Sequence, residues 1–297
     1  MASERLKRQG SNRDAIMRAV ASIATVTIVM LLSVPVNAAS WSDPTLAPAA
    51  EPPQVIGRPW NGCLAGAAAL PWDGSGFEVL RPEEHRYFGH PETVGFVERL
   101  GREAHAAGLP VFYVGDMAQP RGGPMPSNHV SHETGVDVDI WFTLDTVPGL
   151  PIAVRKTLEP PPMVLADQSA IDPARFGPRQ VTLLRLAARD PAVDRIFVNP
   201  AIKQALCEGY GGAGQGDRRW LERVRPWYGH KAHFHVRLQC PAGSPLCLQQ
   251  PAVPPGDGCD PAIFAWWAQE LSKPKLPVPT VPPPRPPLPA ACAALAH

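Results

Sequence analysis

Two short histidine-rich segments carry the residue types that bind metal ions and transfer protons. The first reads His129-Val-Ser-His132-Glu-Thr-Gly-Val-Asp-Val-Asp139, and the second reads His230-Lys-Ala-His233-Phe-His235. Zinc accepts imidazole nitrogen and carboxylate oxygen, and a hydrolytic zinc site uses about three protein ligands with one position left for water. The two segments therefore predict a zinc site assembled from distant parts of the chain.

Both segments run into the two-residue alternation of a β-strand, in which successive side chains point to opposite faces. From Val136 to Ile140, Asp137 and Asp139 share one face and the apolar residues share the other. From His233 to Leu238, the polar face holds His233, His235 and Arg237. Each strand is thus expected to pack on the core with one face and to present ligand-type groups on the other.

The polar faces of these two predicted strands suggest which residues bind the zinc ion. A tight turn at Gly135 can aim His132 back over the strand of Asp139, and His235 on a neighbouring strand can complete the site. Asp137, in phase with Asp139, is expected either to support a ligand histidine or to be a solvated strand residue.

The base of such a site is not a glutamate of a helical zinc-protease motif. His132-Glu133 leads to Val136 at the fourth position, so the H-E-x-x-H pattern is absent. His233 shares a strand face with His235, two residues away, and a neutral imidazole suits general base catalysis. His85, His90, His105 and His297 have no comparable context, and we interpret them as surface or structural residues.

The first 38 residues resemble an export signal. A basic segment over residues 1–18 precedes an apolar run from Ala19 to Val34, and Val36-Asn-Ala38 offers a cleavage site. An uncleaved membrane anchor is the alternative, but this run is shorter than the roughly 20 residues that span a bilayer. We therefore expect a signal peptide over residues 1–38 and no stable membrane insertion after its cleavage.

Six cysteines in an exported chain predict three disulfides. Only the pair Cys240 and Cys247 is suggested by local spacing, because its short loop contains proline and glycine. The absence of C-x-x-C spacing argues against a cysteine zinc site.

The composition divides the chain into a core domain and two proline-rich segments. Many of the 38 prolines fall in two low-complexity stretches, which are expected to be extended. We expect a linker over residues 39–55, a catalytic domain over 56–272 and a tail over 273–297 that Cys292 ties back. The net charge of +1 gives no reason to expect nucleic acid or an anionic membrane as a partner.

Within the domain, hydrophobic spacing predicts helices and strands together. The predicted helices are 94–107, 180–188 and 201–207, and the predicted strands are 109–114, 136–140, 195–198 and 233–238. The expected fold class is α+β, with a small, mostly antiparallel sheet that carries the zinc ligands and is flanked by helices.

Several ordered motifs resemble the penicillin-insensitive murein endopeptidases, relatives of lysostaphin and the D-Ala-D-Ala metallocarboxypeptidases. They begin at Asp116 (DMAQPRGG), His129 (HVSHETGVDVDIW), Arg195 (RIFVNPAIKQ) and Arg225 (RPWYGHKAHFHVRL). The resemblance extends from about Cys63 to Cys292.

By position, the resemblance implies roles for individual residues. The implied zinc ligands are His132, Asp139 and His235, with His129 as a further ligand. His233 is implied as the catalytic histidine and His230 as the other active-site histidine. The implied disulfides are Cys63–Cys292, Cys207–Cys259 and Cys240–Cys247.

The implied activity is hydrolysis of D-alanyl–meso-diaminopimelyl cross-links of peptidoglycan in the periplasm. We expect one catalytic zinc ion, because no histidine between Gly135 and Gly229 could serve the second, peripheral metal of some family members. Two alternatives are a D-Ala-D-Ala carboxypeptidase with the same zinc site and a non-catalytic periplasmic zinc-binding module.

Overall fold

A computed structural model describes residues 41–126, 129–144, 148–214, 216–273 and 285–296. The expected signal peptide (1–38) and residues 274–284 of the expected tail lie outside these ranges. Within them, no helix has both the length and the apolar character needed to cross a membrane.

The described chain contains both helices and strands, which confirms the α+β class. Three of the helices place a proline at the start behind a capping side chain, a favourable arrangement because proline lacks the amide hydrogen that would be unpaired there. The helices are α1 (Pro91–Ala106), α2 (Ile152–Arg155), α3 (Pro178–Arg189), α4 (Pro200–Cys207) and α5 (Pro261–Ser272). The strands are β1 (Gln54–Arg58), β2 (Asn61–Ala65), β3 (Ala68–Ala69), β4 (Asp73–Gly74), β5 (Phe77–Val79), β6 (Phe88–Gly89), β7 (Phe112–Val114), β8 (Asp137–Trp141), β9 (Val193–Val198), β10 (Val224–Pro226) and β11 (His233–Leu238).

Seven strands form the main sheet, in the order β10-β9-β11-β8-β7-β5-β4. The pairings are antiparallel except for β10 with β9 and β5 with β7, so the described sheet is mostly antiparallel, as predicted. The two strands with ligand-type residues, β8 and β11, are neighbours near the centre of the sheet.

The apolar faces of these two strands anchor the sheet on the core. Val138, Ile140, Phe234 and Val236 are fully buried, and Phe234 packs against Phe142 with 5.1 Å between ring centroids. The polar face of β8 and β11 is therefore fixed in position by the packed core beneath it. This limits the movement of the ligand-type side chains on that face.

The segments that flank the domain pack together. Trp41, within the expected extended linker, is 1% exposed and lies in a small apolar cluster with Ile56, Cys63, Cys292 and Leu295. The first strand begins at Gln54, two residues before the expected start of the domain. Apolar packing of one tryptophan thus orders a stretch whose proline content predicted only an extended chain.

Three disulfides join Cys63 to Cys292, Cys207 to Cys259 and Cys240 to Cys247. This is the pairing that the family resemblance implies. The first of them ties the short helical turn Ala290–Leu295 back onto β2, so the described end of the tail is fixed to the domain.

Candidate metal centre

The pairing of β8 with β11 brings the two histidine-rich segments together. In this antiparallel register, Asp139 lies opposite His235 and Asp137 lies opposite Arg237. Directly opposed residues project from the same face of a sheet, with β-carbons about 5 Å apart. Two residues that are almost a hundred positions apart in the sequence thus become neighbours on one polar face.

The turn before β8 aims His132 into this face. His132 adopts a left-handed backbone conformation (φ 71°), and its amide donates a hydrogen bond to Asp137 Oδ2 at 3.1 Å. Gly135 also has positive φ, and a β-carbon there would lie 2.4 Å from Leu64 Cδ2. The glycine therefore permits the tight turn that places the His132 ring 4.6 Å from the ring of His235.

Three side chains offer ligand atoms that could hold one metal ion. The ligand atoms of His129, His132 and Asp139 all lie within 4.8 Å of one another. His235 faces the same carboxylate, because its Nδ1 lies 3.1 Å from Asp139 Oδ1. The structure thus gathers the other three predicted ligands around Asp139.

The polar atoms at the centre of this group fit a bound cation. His132 is 1% exposed, and neither of its ring nitrogens forms a hydrogen bond with any residue that the structure describes. Asp139 Oδ1 is likewise buried without a hydrogen bond from the described residues. Buried polar atoms are almost always paired, so these donor atoms fit a metal ion bound between them.

Asp137 lies beside the ligand group and contacts both Arg237 and His235. It is fully buried, and its two oxygens accept hydrogen bonds from Nε and Nη2 of Arg237 at 2.7 and 2.9 Å. Its Oδ1 also lies 3.3 Å from His235 Nε2, the nitrogen that faces away from Asp139. A solvated Asp137 is therefore wrong, and the alternative of a carboxylate that orients a ligand histidine agrees with the structure.

The charges of this group are strongly coupled. Burial alone would raise the pKa of Asp139, but the nearby His233 and His132 hold it well below its usual range. Burial alone would lower the pKa of His235, whereas the negative charges of the adjacent Asp137 and Asp139 raise it to about 9. A cation that binds here must therefore displace a proton from His235.

His233 and His230 lie beside the group rather than inside it. His233 Nε2 is 3.6 Å from Asp139 Oδ2, and the ring of His230 is 5.3 Å from that of His233. Burial lowers the pKa of His233, and burial with the neighbouring His235 and His233 lowers that of His230 to about 3. Both imidazoles are therefore neutral near pH 7.

The tautomer of His230 follows from its hydrogen bond. Its Nδ1 lies 2.6 Å from the carbonyl oxygen of Tyr228, which can only accept, so Nδ1 carries the proton. The Nε2 of the neutral ring is then an acceptor. His230 can therefore accept a hydrogen bond from a water molecule but cannot donate one from Nε2.

Asn199 holds the His230 loop, a role that the sequence patterns did not indicate. Asn199 is fully buried and caps α4 through a hydrogen bond from the amide of Ala201. Its side-chain amide donates to Gly229 O at 3.0 Å, and its backbone amide donates to His230 O at 3.2 Å. In the sequence, the Asn199-Pro200 pair before a predicted helix indicates only a helix cap. It does not indicate that the same side chain also holds the loop of His230.

Asp116 was also missed, although it begins one of the quoted motifs. Its Oδ2 lies 3.2 Å from His129 Nε2, and its Oδ1 lies 2.8 Å from Arg86 Nε. Its carbonyl also accepts the amide hydrogen of Asp139 at 2.9 Å. A carboxylate two residues after the predicted strand 109–114 was the only local signal for this position.

Among the described residues, the three histidines outside the two clusters take no part in the group. His90 caps α1 through its ring Nδ1, which accepts the amide hydrogen of Glu92, and His105 is exposed on the same helix. His85 lies at the end of a short helical turn, Pro82–Glu84. His297 lies outside the described residues.

Known proteins match the chain over almost all of this structure. The family model described as penicillin-insensitive murein endopeptidase matches residues 55–297. Relatives of that name occur in Yersinia enterocolitica (44% identical, 92% of this chain and 96% of the relative) and Klebsiella pneumoniae strain 342 (44%, 82% and 85%). A third, from Haemophilus influenzae, is 43% identical over 78% of this chain and 79% of its own. The chain belongs to the penicillin-insensitive murein endopeptidase family.

Proposed function

We propose that this protein is a zinc-dependent murein endopeptidase that hydrolyses D-alanyl–meso-diaminopimelyl cross-links of peptidoglycan in the periplasm. The observation that carries this proposal is the convergence of His132, Asp139 and His235 on one buried point of the sheet. Family membership and three disulfides, which are typical of an oxidising compartment, support the substrate and the location.

The donor set supports zinc as the metal. Two imidazoles and one carboxylate are ligands that zinc accepts in catalytic sites, and soft thiolate ligands are excluded because all six cysteines form disulfides. We assign His132, Asp139 and His235 as ligands of one ion, with His129 as a further ligand. His129 suits that lesser role because it is more exposed and also contacts Asp116.

When bound, zinc supplies a Lewis acid that polarises the scissile carbonyl and acidifies a coordinated water. His233 acts as the general base, since it is neutral, reaches the polar face and lies beside Asp139. It accepts a proton from the attacking water and returns it to the leaving amine. Because water is the nucleophile, no acyl-enzyme forms that a β-lactam could mimic.

His230 orients the attacking water. Its Nδ1 donates a hydrogen bond to Tyr228 O, so its Nε2 carries no proton. Nε2 can therefore accept a hydrogen bond from water but cannot donate one to a developing oxyanion. Asn199 fixes the loop that carries it through two hydrogen bonds. Asp137 fixes the orientation of His235 from the opposite side.

Digestion of isolated sacculi with and without a chelator tests the proposal. Mass spectrometry should show cross-linked muropeptide dimers converted to monomers, and zinc should restore the activity that the chelator removes. Pentapeptides shortened by one alanine, with dimers intact, would instead establish a D-Ala-D-Ala carboxypeptidase. Zinc-loaded protein that leaves sacculi unchanged would indicate a non-catalytic binding module.

A further inference from the structure

A row of aromatic rings leads from the metal centre to the protein surface. The ring of Phe197 lies 5.5 Å from that of His235 and 5.9 Å from that of Trp227. Trp227 lies 6.2 Å from Tyr228, and Tyr228 lies 5.2 Å from Trp266 of α5. Each spacing is within the range of interacting aromatic pairs, so the rings form one connected surface.

The outer rings of this row are exposed to solvent. Trp227 is 52% exposed and Tyr228 is 49% exposed, while Trp266 is partly buried. Aromatic side chains usually bury most of their area, and a contiguous exposed apolar patch commonly marks a binding site. We call Trp227, Tyr228 and Trp266 the aromatic platform.

The backbone under the platform is held in place. The amide of Trp227 donates to Val198 O at 2.9 Å, directly after β10. In α5, the buried Trp267 packs on Tyr228 and donates from its indole nitrogen to Gln168 O at 3.4 Å. One tryptophan of the Trp266-Trp267 pair therefore anchors the helix, while the other contributes a ring to the surface.

We propose that the aromatic platform binds the saccharide part of murein, an inference that rests on the proposed function. Murein consists of cross-linking peptides attached to a glycan strand, and the platform continues directly from the site that would cut the peptide. Pyranose rings present apolar C–H faces and hydroxyl edges, which match rings that are apolar in the middle and polar at one end. The three platform side chains carry no charge, which suits a neutral sugar ring better than the charged groups of a stem peptide.

The distance from the metal centre is appropriate for this occupant. An extended peptide spans at most about 3.5 Å per residue, so a stem peptide of about four residues reaches roughly 14 Å from the scissile bond. The platform begins one ring beyond Phe197, which contacts His235 itself. A glycan strand at the end of such a stem is therefore within reach of the platform.

Two substrates separate sugar binding from peptide binding. One is a cross-linked muropeptide dimer that carries its disaccharides, and the other is the same cross-linked peptide without sugars. Trp266→Ala should raise KM for the sugar-bearing dimer roughly five- to tenfold, a typical value of one lost ring contact, with kcat unchanged. The same variant should cleave the sugar-free dimer as the wild type does, and Trp266→Phe should keep most of the binding.

Trp72→Ala is the matched control, because Trp72 is 42% exposed and precedes β4 at the opposite edge of the sheet. It should change neither KM. An unchanged KM for the sugar-bearing dimer in Trp266→Ala, or an equal rise for both dimers, would overturn the inference. Failure of the wild type to cleave either dimer would instead refute the proposed function.

Discussion

Arg285, in the described end of the proline-rich tail, forms an ion pair with Glu133, which directly follows the metal ligand candidate His132. The Glu133 side chain is 1% exposed and also accepts the amide hydrogen of Gly62 at 3.2 Å. Burial raises the pKa of Glu133, and Arg285 opposes that rise. The tail therefore contributes a charge that helps to hold the turn before β8.

Replacement of this arginine should loosen the turn. In Arg285→Ala the buried carboxylate of Glu133 loses its cation, so the free energy of unfolding should fall by about 1–3 kcal/mol. Adding Glu133→Gln should restore much of that loss, since the neutral amide can still accept from Gly62. Denaturant unfolding of both variants provides the measurement, and equal midpoints for wild type and Arg285→Ala would contradict the assigned role.

Zinc should raise the unfolding temperature of the wild type after chelation, because only the folded chain brings the ligands together. His132→Ala, Asp139→Ala and His235→Ala should each remove this shift, whereas His129→Ala should retain part of it. Thermal scans with stoichiometric zinc distinguish these variants. A full shift in His235→Ala would assign the ion to His129, His132 and Asp139 alone.

The loss of Asp137 should weaken zinc binding without removing a ligand. Asp137→Asn should lower zinc affinity roughly 10- to 100-fold, because His235 loses its orienting carboxylate. It should also destabilise the metal-free protein by about 3–5 kcal/mol, since Arg237 is left buried without its partner. Asp137→Asn combined with Arg237→Met should recover stability but not zinc affinity. Calorimetric zinc titration and unfolding curves report the two effects separately.

His233→Ala should keep the zinc and lose nearly all turnover, because the variant lacks the base but retains the ligands. A loss of about 10²–10⁴-fold in kcat is the usual scale for general base catalysis. His105→Ala provides the control, since His105 is exposed on α1 and no described contact joins it to the cluster. Normal sacculus digestion by zinc-loaded His233→Ala would refute the base assignment.

The buried Lys203 should make stability depend on pH away from the metal. Its Nζ donates to Leu221 O and Asp257 O at 2.8 and 2.6 Å, and burial lowers its pKa from 10.5 to about 7. Between these values the unfolded chain holds a proton that the folded chain lacks, so stability should rise with pH across this window.

Lys203→Met removes this contribution and so isolates it. The stability of the wild type relative to Lys203→Met should be lowest below about pH 7 and fully regained above 10.5. The total difference is on the order of 5 kcal/mol. Denaturation of both proteins at several pH values measures it, and parallel curves would show that Lys203 does not titrate differently in the folded state.

Local periodicity predicted the strands of the site but not their pairing. The alternation in 136–140 and 233–238 agrees with β8 and β11, including the faces of Asp139 and His235. That the two strands are neighbours depends on contacts across about a hundred residues, which local patterns do not encode. The residue types linked both segments to one zinc site, and the family resemblance implied the same link.

Other elements lacked a local signal. The hairpin of β1 and β2 contains Gly57, Pro59 and Gly62, which interrupt the alternation by which a strand is recognised. Asn199 and Asp116 join the site from loops whose positions only the folded sheet determines. Their contributions are tertiary, and no spacing within either segment indicates them.

The central place of β8 and β11 in the sheet has a consequence for metal exchange. Their backbone amides are paired on both sides, with β9 beyond one strand and β7 beyond the other. Such strands open last, so their amide hydrogens should exchange with solvent slowly even without metal. The strands that carry the ligand candidates are therefore formed before any metal binds, so a metal ion can bind and dissociate without unfolding the chain.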